Sequence, residues 1–247
     1  WSESIKRRVK LNLRLANYPP GFDDKTWRNL FRTCASIRLF LPSLLSEVDS
    51  LIYVDTDVVF LATLESLWSH MGRMNSSHMA GLSPEHEDAA TGWYNRFAKH
   101  PYYGRLGEYF VAYYGRLGVN SGVMLMNLTR LRAFGWEEYL VPIEKEFHAK
   151  LSWGDQDIIN IIFHYHPDKL YLFGCQFNYR PDHCMYTSTC KDVADTGVFA
   201  LHGSRRTFHT EKQPVFKAVY ETWSKVSWCL PMFFFFFWAL IKLVGLT

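Results

Sequence analysis

Two apolar runs, Leu51-Ile52-Tyr53-Val54 and Val58-Val59-Phe60-Leu61, flank the polar triplet Asp55-Thr56-Asp57. A short continuous apolar run bounded by polar residues is the pattern of a strand covered on both faces. Upstream, Leu30, Phe31, Cys34, Ile37, Leu41, Leu44 and Leu45 recur at helical spacing, so 27–45 reads as a helix that Pro42 interrupts. Downstream, Leu64 to Met74 reads as a short helix and Met79-Ala80-Gly81-Leu82 as a strand. Gly118 to Asn120 carries turn chemistry and leads into an apolar strand that ends at Asn127. Helical spacing returns from Leu131 to Leu151 and from Asp155 to Phe163, and strand texture at Leu170-Tyr171-Leu172-Phe173 and Gly197-Val198-Phe199-Ala200. Strands alternating with helices predict one α/β domain, a mostly parallel sheet with helices on both faces. Ligands of such sheets sit beyond the carboxyl ends of the strands, which is where Asp55 and Asp57 fall.

That triplet carries the chemistry. In a strand, residues i and i+2 share a side, so Asp55 and Asp57 can aim both carboxylates at one divalent cation. A turn or a helix cap would explain a bare Asp-x-Asp; the apolar runs on either side favour the metal. His202, at a strand end and followed by Gly203, offers a third ligand with open backbone for a phosphate. Asn120-Ser121-Gly122 offers an amide and a glycine where backbone can approach a sugar closely. Trp153-Gly154-Asp155-Gln156-Asp157 opens a helix with Asp155 as its expected N-cap, its amino end facing an anion or sugar hydroxyls.

With 247 residues, 48% of them hydrophobic and 17% aromatic, the chain can bury one large core. A net charge of only +3, with Lys and Arg scattered, excludes a nucleic-acid partner. The 5 cysteines leave one over after pairing, and Cys184 and Cys190 bracket a polar loop that a disulfide could close. The acceptor sequons Asn75-Ser76-Ser77 and Asn127-Leu128-Thr129 agree with an oxidising secretory compartment. No signal peptide opens the chain and it starts without Met, so an N-terminal truncation is expected. Residues 1–226 form the expected domain, and 227–247 a phenylalanine-rich tail, read either as foreign to the fold or, less favoured, as a membrane anchor. Tyr102-Tyr103-Gly104-Arg105-Leu106-Gly107 recurs as Tyr113-Tyr114-Gly115-Arg116-Leu117-Gly118, a tandem duplication in a loop rather than a solenoid.

The motifs Cys34-Ala35-Ser36-Ile37-Arg38-Leu39-Phe40-Leu41-Pro42, Tyr53-Val54-Asp55-Thr56-Asp57, Pro84-Glu85-His86-Glu87 and Gly92-Trp93-Tyr94-Asn95-Arg96-Phe97 carry a resemblance. It continues through Asn120-Ser121-Gly122-Val123-Met124-Leu125-Met126-Asn127, Trp153-Gly154-Asp155-Gln156-Asp157, Asn178-Tyr179-Arg180-Pro181-Asp182-His183-Cys184 and Leu201-His202-Gly203. Together they resemble the retaining glycosyltransferases of family eight, and within them the glucoside xylosyltransferase group. The resemblance implies a GT-A fold, here with its N-terminal Rossmann strands missing. It also implies transfer of xylose from UDP-xylose to O-linked glucose on EGF-like repeats of a glycoprotein acceptor.

Carried onto this sequence, it gives Mn²⁺ ligands Asp55, Asp57 and His202, and a donor site of Arg38, Asp55, Asn120, Gly122, Asp155, Gly203 and Lys212. Asp155 and Gln156 take the catalytic places, and Trp93, Tyr94, Tyr179 and Arg180 the acceptor contacts. The implied location is the lumen of the endoplasmic reticulum or Golgi, as part of a type II membrane protein whose N-terminal anchor lies outside this chain. A catalytically inactive remnant, or a binding module that keeps the fold, is the alternative. A phosphatase-type Asp-x-Asp site is disfavoured by Val58-Val59, which does not supply the residues that chemistry needs.

Overall fold

The computed structural model describes residues 10, 12–15, 17–20, 22, 25, 27, 35–85, 114, 115, 118–148, 151, 154–185 and 190–229. Among them run the strands β1 (Ser50–Val54), β2 (Val58–Phe60), β3 (Ala80–Pro84), β4 (Val119–Asn127), β5 (Leu170–Leu172) and β6 (Ala200–His202). The helices are α1 (Leu41–Leu44), α2 (Leu64–Trp68), α3 (Leu128–Phe134), α4 (Leu140–Phe147), α5 (Asp155–Tyr165), α6 (Asp182–Met185), α7 (Val193–Thr196) and α8 (Pro214–Cys229).

Four strands form one sheet in the order β1-β4-β3-β5, and β2 pairs with β6 as a separate ribbon. The α/β class holds, with one correction. β1 and β3 both run antiparallel to β4, β2 runs antiparallel to β6, and only β3 with β5 is parallel, so the described sheet is mixed rather than mostly parallel. The reason is that β4 is buried along nearly its whole length. A strand apolar on both faces has no period that reveals its direction, and a helix between two strands does not by itself make their connection a crossover.

Alternation along β4 builds the two core layers. Met124 and Met126 face one layer with Leu51, Ala80 and Leu82, closed by α3, α4 and α5. Val123 and Leu125 face the other with Ile52, closed by Leu67 of α2 and by Phe173 and Phe177. Helices therefore cover both faces. α5 is apolar around most of its circumference, and Ile158, Ile159, Ile161, Ile162 and Phe163 are all buried, as expected of a helix packed on several sides. Each such side chain contributes about 1.5–3 kcal/mol of transfer free energy. A third cluster of Val59, Leu201, Phe208 and Phe216 holds the β2–β6 ribbon against α8.

Local chemistry moves several expected boundaries. The single helix expected over 131–151 breaks at Gly135, which takes a left-handed φ of 74° as the C-cap of α3, and the chain restarts through a 3-10 turn, Trp136–Tyr139, into α4. Pro42 does not break a helix: it sits in the first turn of α1, where its missing N–H costs nothing. Gly197, at φ 75°, ends α7, so the strand expected from Gly197 starts at Ala200 and includes His202.

The disulfide is also corrected. It joins Cys175 to Cys190, with Cα atoms 5.8 Å apart, while Cys184 is free and exposed. Cys184 lies on α6 with its sulfur turned to the Pro181 carbonyl at 3.4 Å, whereas Cys175 is buried in the 3-10 turn Cys175–Asn178. Spacing in sequence cannot reveal that difference of direction. Among the described residues no helix is long and apolar enough to cross a membrane. The tail 230–247 and most of the duplicated segment lie outside the described residues.

Candidate functional site

Where β1 ends, the Asp55 N–H donates to the Gly122 carbonyl of β4 at 2.8 Å, fixing the start of the acidic triplet against the central strand. Three residues on, β2 begins, and Val58 faces His202 in the β2–β6 pairing. The Gly203 N–H then donates to the Asp57 carbonyl at 2.7 Å. This ribbon brings a histidine far away in sequence onto the triplet. His202 Nε2 lies 3.4 Å from Asp57 Oδ1 and 3.9 Å from Asp55 Oδ2. The three donor atoms of Asp55, Asp57 and His202 all fall within 4.8 Å of one another, so the group can hold a metal ion. Two hard carboxylate oxygens and one imidazole nitrogen suit a divalent cation.

Glycine makes the convergence sterically allowed. A Cβ on Gly122 would lie 2.2 Å from His202 Cε1, and one on Gly203 would lie 2.3 Å from the Phe208 ring. Gly122 was expected to admit a sugar; in the structure the imidazole occupies the space of its missing side chain.

The β3–β4 register shifts at the same place: Leu82 faces Met124, but Ser83 faces Asn120. The residues between on β4 are thereby released from β3, a bulge of the sort that re-aims groups at functional sites. Their backbone serves the site instead. The Ser121 carbonyl accepts from Arg38 Nη1, the Ser121 N–H donates to Gln156 Oε1 at 3.2 Å, and the Gly122 N–H donates to Asn120 Oδ1 at 3.0 Å.

Arg38, on the 3-10 turn Ile37–Phe40, is buried and links two of the expected carboxylates. Its guanidinium contacts Asp55 Oδ1 at 3.0 Å, pairs with Asp155 Oδ2, and stacks over the Tyr53 ring 4.5 Å from its centre. Tyr53 donates to the same Asp55 oxygen at 2.9 Å. Burial lowers the affinity of Arg38 for its proton, but the charges of Asp155 and Asp55 outweigh it, so its pKa is raised. Burial pushes Asp155 up to about 7 against the pull of Arg38. Burial also raises Asp57, yet the hydrogen bond and charge of His202 leave that carboxyl below the ordinary range.

Asp155 does not cap α5: Gly154 is the N-cap, at φ 71°, and Asp155 is the first helical residue. Freed from the cap, its carboxylate turns to Arg38. Behind these groups lies an amide network. Asn178 Nδ2 donates to Asn120 Oδ1 at 2.8 Å, and Asn120 Nδ2 donates to Glu85 Oε2 at 2.9 Å and to Gln156 Oε1 at 3.1 Å.

Asp55, Asp57, His202, Arg38, Asn120, Gly122, Asp155, Gln156 and Gly203 thus come together. Lys212 stands exposed in the turn before α8. Arg180 is buried, pairing with Glu85 and lying 3.9 Å from Asp182, so it braces the network from behind. Tyr179 is half-buried against His183 and Phe216. Trp93 and Tyr94 lie outside the described residues. The residues without an assigned role in the sequence reading are Glu85, Asn178 and Tyr53; each lies within a quoted motif, but its direction depends on the bulge and on the Cys175–Asn178 turn.

The profile of "Glycosyl transferase family 8" matches residues 29–196. The chain is 47% identical over 231 residues to "Glucoside xylosyltransferase 1" of Mus musculus, covering 89% of this chain and 54% of that one. It is 47% identical over 232 residues to "Glucoside xylosyltransferase 2" of Xenopus laevis, covering 90% of this chain and 52% of the other. The chain therefore spans about half the length of these curated relatives. Its fold is similar to that of the galactosyltransferase LgtC with donor and acceptor sugar analogues, at a TM-score of 0.53 and 20% identity, covering 83% of this chain and 70% of that one. An active-site mutant of LgtC superposes with a TM-score of 0.57 at 17% identity, covering 83% and 73%. These likenesses give the described sheet and helices a GT-A type fold.

Proposed function

The chain belongs to glycosyl transferase family 8, and from that premise we propose that it is a retaining transferase moving xylose from UDP-xylose to O-linked glucose on EGF-like repeats, with Mn²⁺ as its metal. The observation that carries this reading is the meeting of the Asp55–Asp57–His202 group with Arg38, Asn120, Asp155 and Gln156 around one stretch of β4, Arg38 joining the two through Asp55 and Asp155. In this reading the first group faces the diphosphate and the second the sugar hydroxyls. The names of the relatives support xylose as the sugar and a glucoside as the acceptor.

A divalent cation, once bound by Asp55, Asp57 and His202, supplies positive charge against the diphosphate as the sugar leaves it. The protein's own groups orient the donor. Arg38, fixed between Asp55 and Asp155, presents the rim of a permanent cation beside the carboxylates. Asn120 and Gln156 are held in fixed amide orientations by each other, by Glu85 and by the Ser121 N–H, and in this reading line the sugar side. Among the described residues, Asp155, the carboxylate next to Gln156, is buried and occupied by Arg38. This supports same-face substitution. The bond from the anomeric carbon to the diphosphate oxygen breaks, a bond from the acceptor oxygen forms on the same face, and the hydroxyl proton passes to the departing phosphate. A glycosyl-enzyme trapped on Asp155 or Asp157 and seen by mass spectrometry would refute it.

Location in the lumen of the endoplasmic reticulum or Golgi is part of the proposal, supported by the Cys175–Cys190 disulfide. The test of function is hydrolysis of UDP-xylose, UDP-glucose and UDP-galactose by purified protein with and without Mn²⁺, beside Asp57→Asn. Mn²⁺-dependent turnover that prefers UDP-xylose and is lost in the variant is expected. Identical traces for the two proteins would overturn the reading in favour of a binding module.

A further inference from the structure

Among the described residues, Arg205 and Arg206 are the two that combine a side chain with a positive φ, at 58° and 64°. They follow one another in the turn Ser204–His209, with ψ of 31° and 26°, so both lie in the left-handed helical region. A Cβ there crowds the next carbonyl, and glycine or asparagine ordinarily fills such places. A pair of arginines is strained in it, and strain of this kind persists only where the surroundings hold it. The turn follows directly on Gly203, whose N–H donates to the Asp57 carbonyl at 2.7 Å. Its buried Phe208 ring fills the space that a side chain on Gly203 would need. Movement in the turn would therefore reach Asp57 and His202 through Gly203.

Two hydrogen bonds close the turn. The Thr207 N–H donates to the Gly203 carbonyl at 3.2 Å, and the Thr207 hydroxyl donates to the Ser204 carbonyl at 3.1 Å. A right-handed helical turn makes the same bonds four and three residues back, so neither sets the hand. The strained residues themselves are tied through Arg205, whose guanidinium pairs with the Asp182 carboxylate on α6. Asp182 is fixed from its far side, 3.9 Å from the buried Arg180, which pairs in turn with Glu85. Only 11% of the Asp182 side chain is exposed, so losing Arg205 would leave a buried charge short of a partner, a larger cost than breaking a surface pair. We propose that Asp182 is a positioning residue for the Asp55–Asp57–His202 group: its ion pair with Arg205 holds the left-handed turn that keeps Gly203 against Asp57. Only its effect on Mn²⁺ rests on the metal reading of that group.

The test digests the whole chain, free of metal, with trypsin and follows individual bonds by mass spectrometry. Cleavage after Arg205, taken relative to cleavage after the exposed Lys191 so that global unfolding cancels, should rise about tenfold in Asp182→Asn. Mn²⁺ affinity, by electron paramagnetic resonance of the free ion, should fall about tenfold in the same variant. Adding Arg206→Gly, which accepts the left-handed turn without a tie, should return both toward the unsubstituted values. Adding Arg206→Ala, equal in charge but strained like arginine, should not. Arg205→Ala removes the pair from its other side and should repeat the Asp182→Asn result, read after Arg206, whereas Arg205→Gly should not; these two decide the matter if Asp182→Asn does not fold. Unchanged cleavage in Asp182→Asn, alanine and glycine behaving alike, or faster cleavage beside unchanged Mn²⁺ affinity would each overturn the proposal. Should the unsubstituted chain bind no Mn²⁺ while the cleavage pattern comes out as expected, the metal reading fails and the hold of Asp182 on the turn stands.

Discussion

Gly122→Ala is the sharpest perturbation of the metal group. Gly122 is not in the left-handed region, unlike Gly118, Gly135, Gly154 and Gly197, so alanine meets no backbone penalty there. The effect is purely one of space: the added Cβ would lie 2.2 Å from His202 Cε1 and 2.5 Å from Nδ1. Carbon atoms pack at about 3.5–4.0 Å, so the ring must retreat by about 1.3 Å or more. Its bond to Asn178 and the pairing of Val58 with His202 oppose that movement. Metal–ligand distances tolerate only about 0.2 Å, so a retreat of this size removes His202 as a ligand. We expect Mn²⁺ affinity to fall by more than about tenfold and the overpacked fold to lose about 1–3 kcal/mol. Electron paramagnetic resonance titration of free Mn²⁺ measures the first, and thermal unfolding with chelator the second. Gly81→Ala is the control: its Cβ meets Leu125 and Tyr171 side chains at 3.2–3.4 Å, away from the metal group. A Gly122→Ala protein that binds Mn²⁺ as tightly as the unsubstituted chain would refute the packing argument.

Other outcomes follow from features already described. Asp155 is raised from 3.8 to about 7, so the folded, metal-free protein keeps a proton that the unfolded chain has released between those values; urea unfolding should show stability falling as pH rises through that window, and Asp155→Asn should flatten the fall. Cys175→Ser opens a loop of sequence separation 15 and should cost about 3 kcal/mol in thermal unfolding, whereas Cys184→Ser, at a free exposed thiol, should leave the transition where it was. Produced in a eukaryotic secretory host, the chain should carry a glycan at the exposed Asn75: the gel shift on glycosidase treatment should vanish in Asn75→Gln and persist in Asn127→Gln, since Asn127 is engaged as the N-cap of α3.

The sequence disclosed the Asp55–Asp57–His202 group because each member announces itself locally. Asp55 and Asp57 close an apolar strand, and His202 closes another before a glycine. The two helices beside β4 and most strands were likewise legible from their periods. Strand direction was not, because β4 is apolar on both faces and either direction satisfies the pattern. The bulge that frees Ser121 and Gly122 left one signal, a glycine inside a strand, which reads equally as room for a ligand. Asp155 illustrates a different limit. An acidic residue at a helix start looks like a cap, and only the approach of Arg38, 117 positions earlier in the chain, diverts it. Disulfide partners were hidden for the same reason: Cys184 is nearer in sequence to Cys190, and Cys175 is nearer in space.

The unequal footing of β4 and the β2–β6 ribbon has a kinetic meaning. Val123 to Met126 of β4 are bonded to β1 on one edge, covered on both faces, and buried at 0–1% exposure. Their amide hydrogens should exchange with deuterium only when the whole domain unfolds. His202 belongs instead to a ribbon of two three-residue strands, with Asp57 just before it, and the ribbon is marginal by itself and leans on Phe208 and Phe216. The amides of Leu61 and Gly203, which donate across the two ends of this ribbon, should therefore exchange through local openings that leave β4 closed. Such openings would detach His202 while the Arg38–Asp155 side keeps its shape, which under the proposed function is a route for a spent nucleotide to depart without loosening the fold.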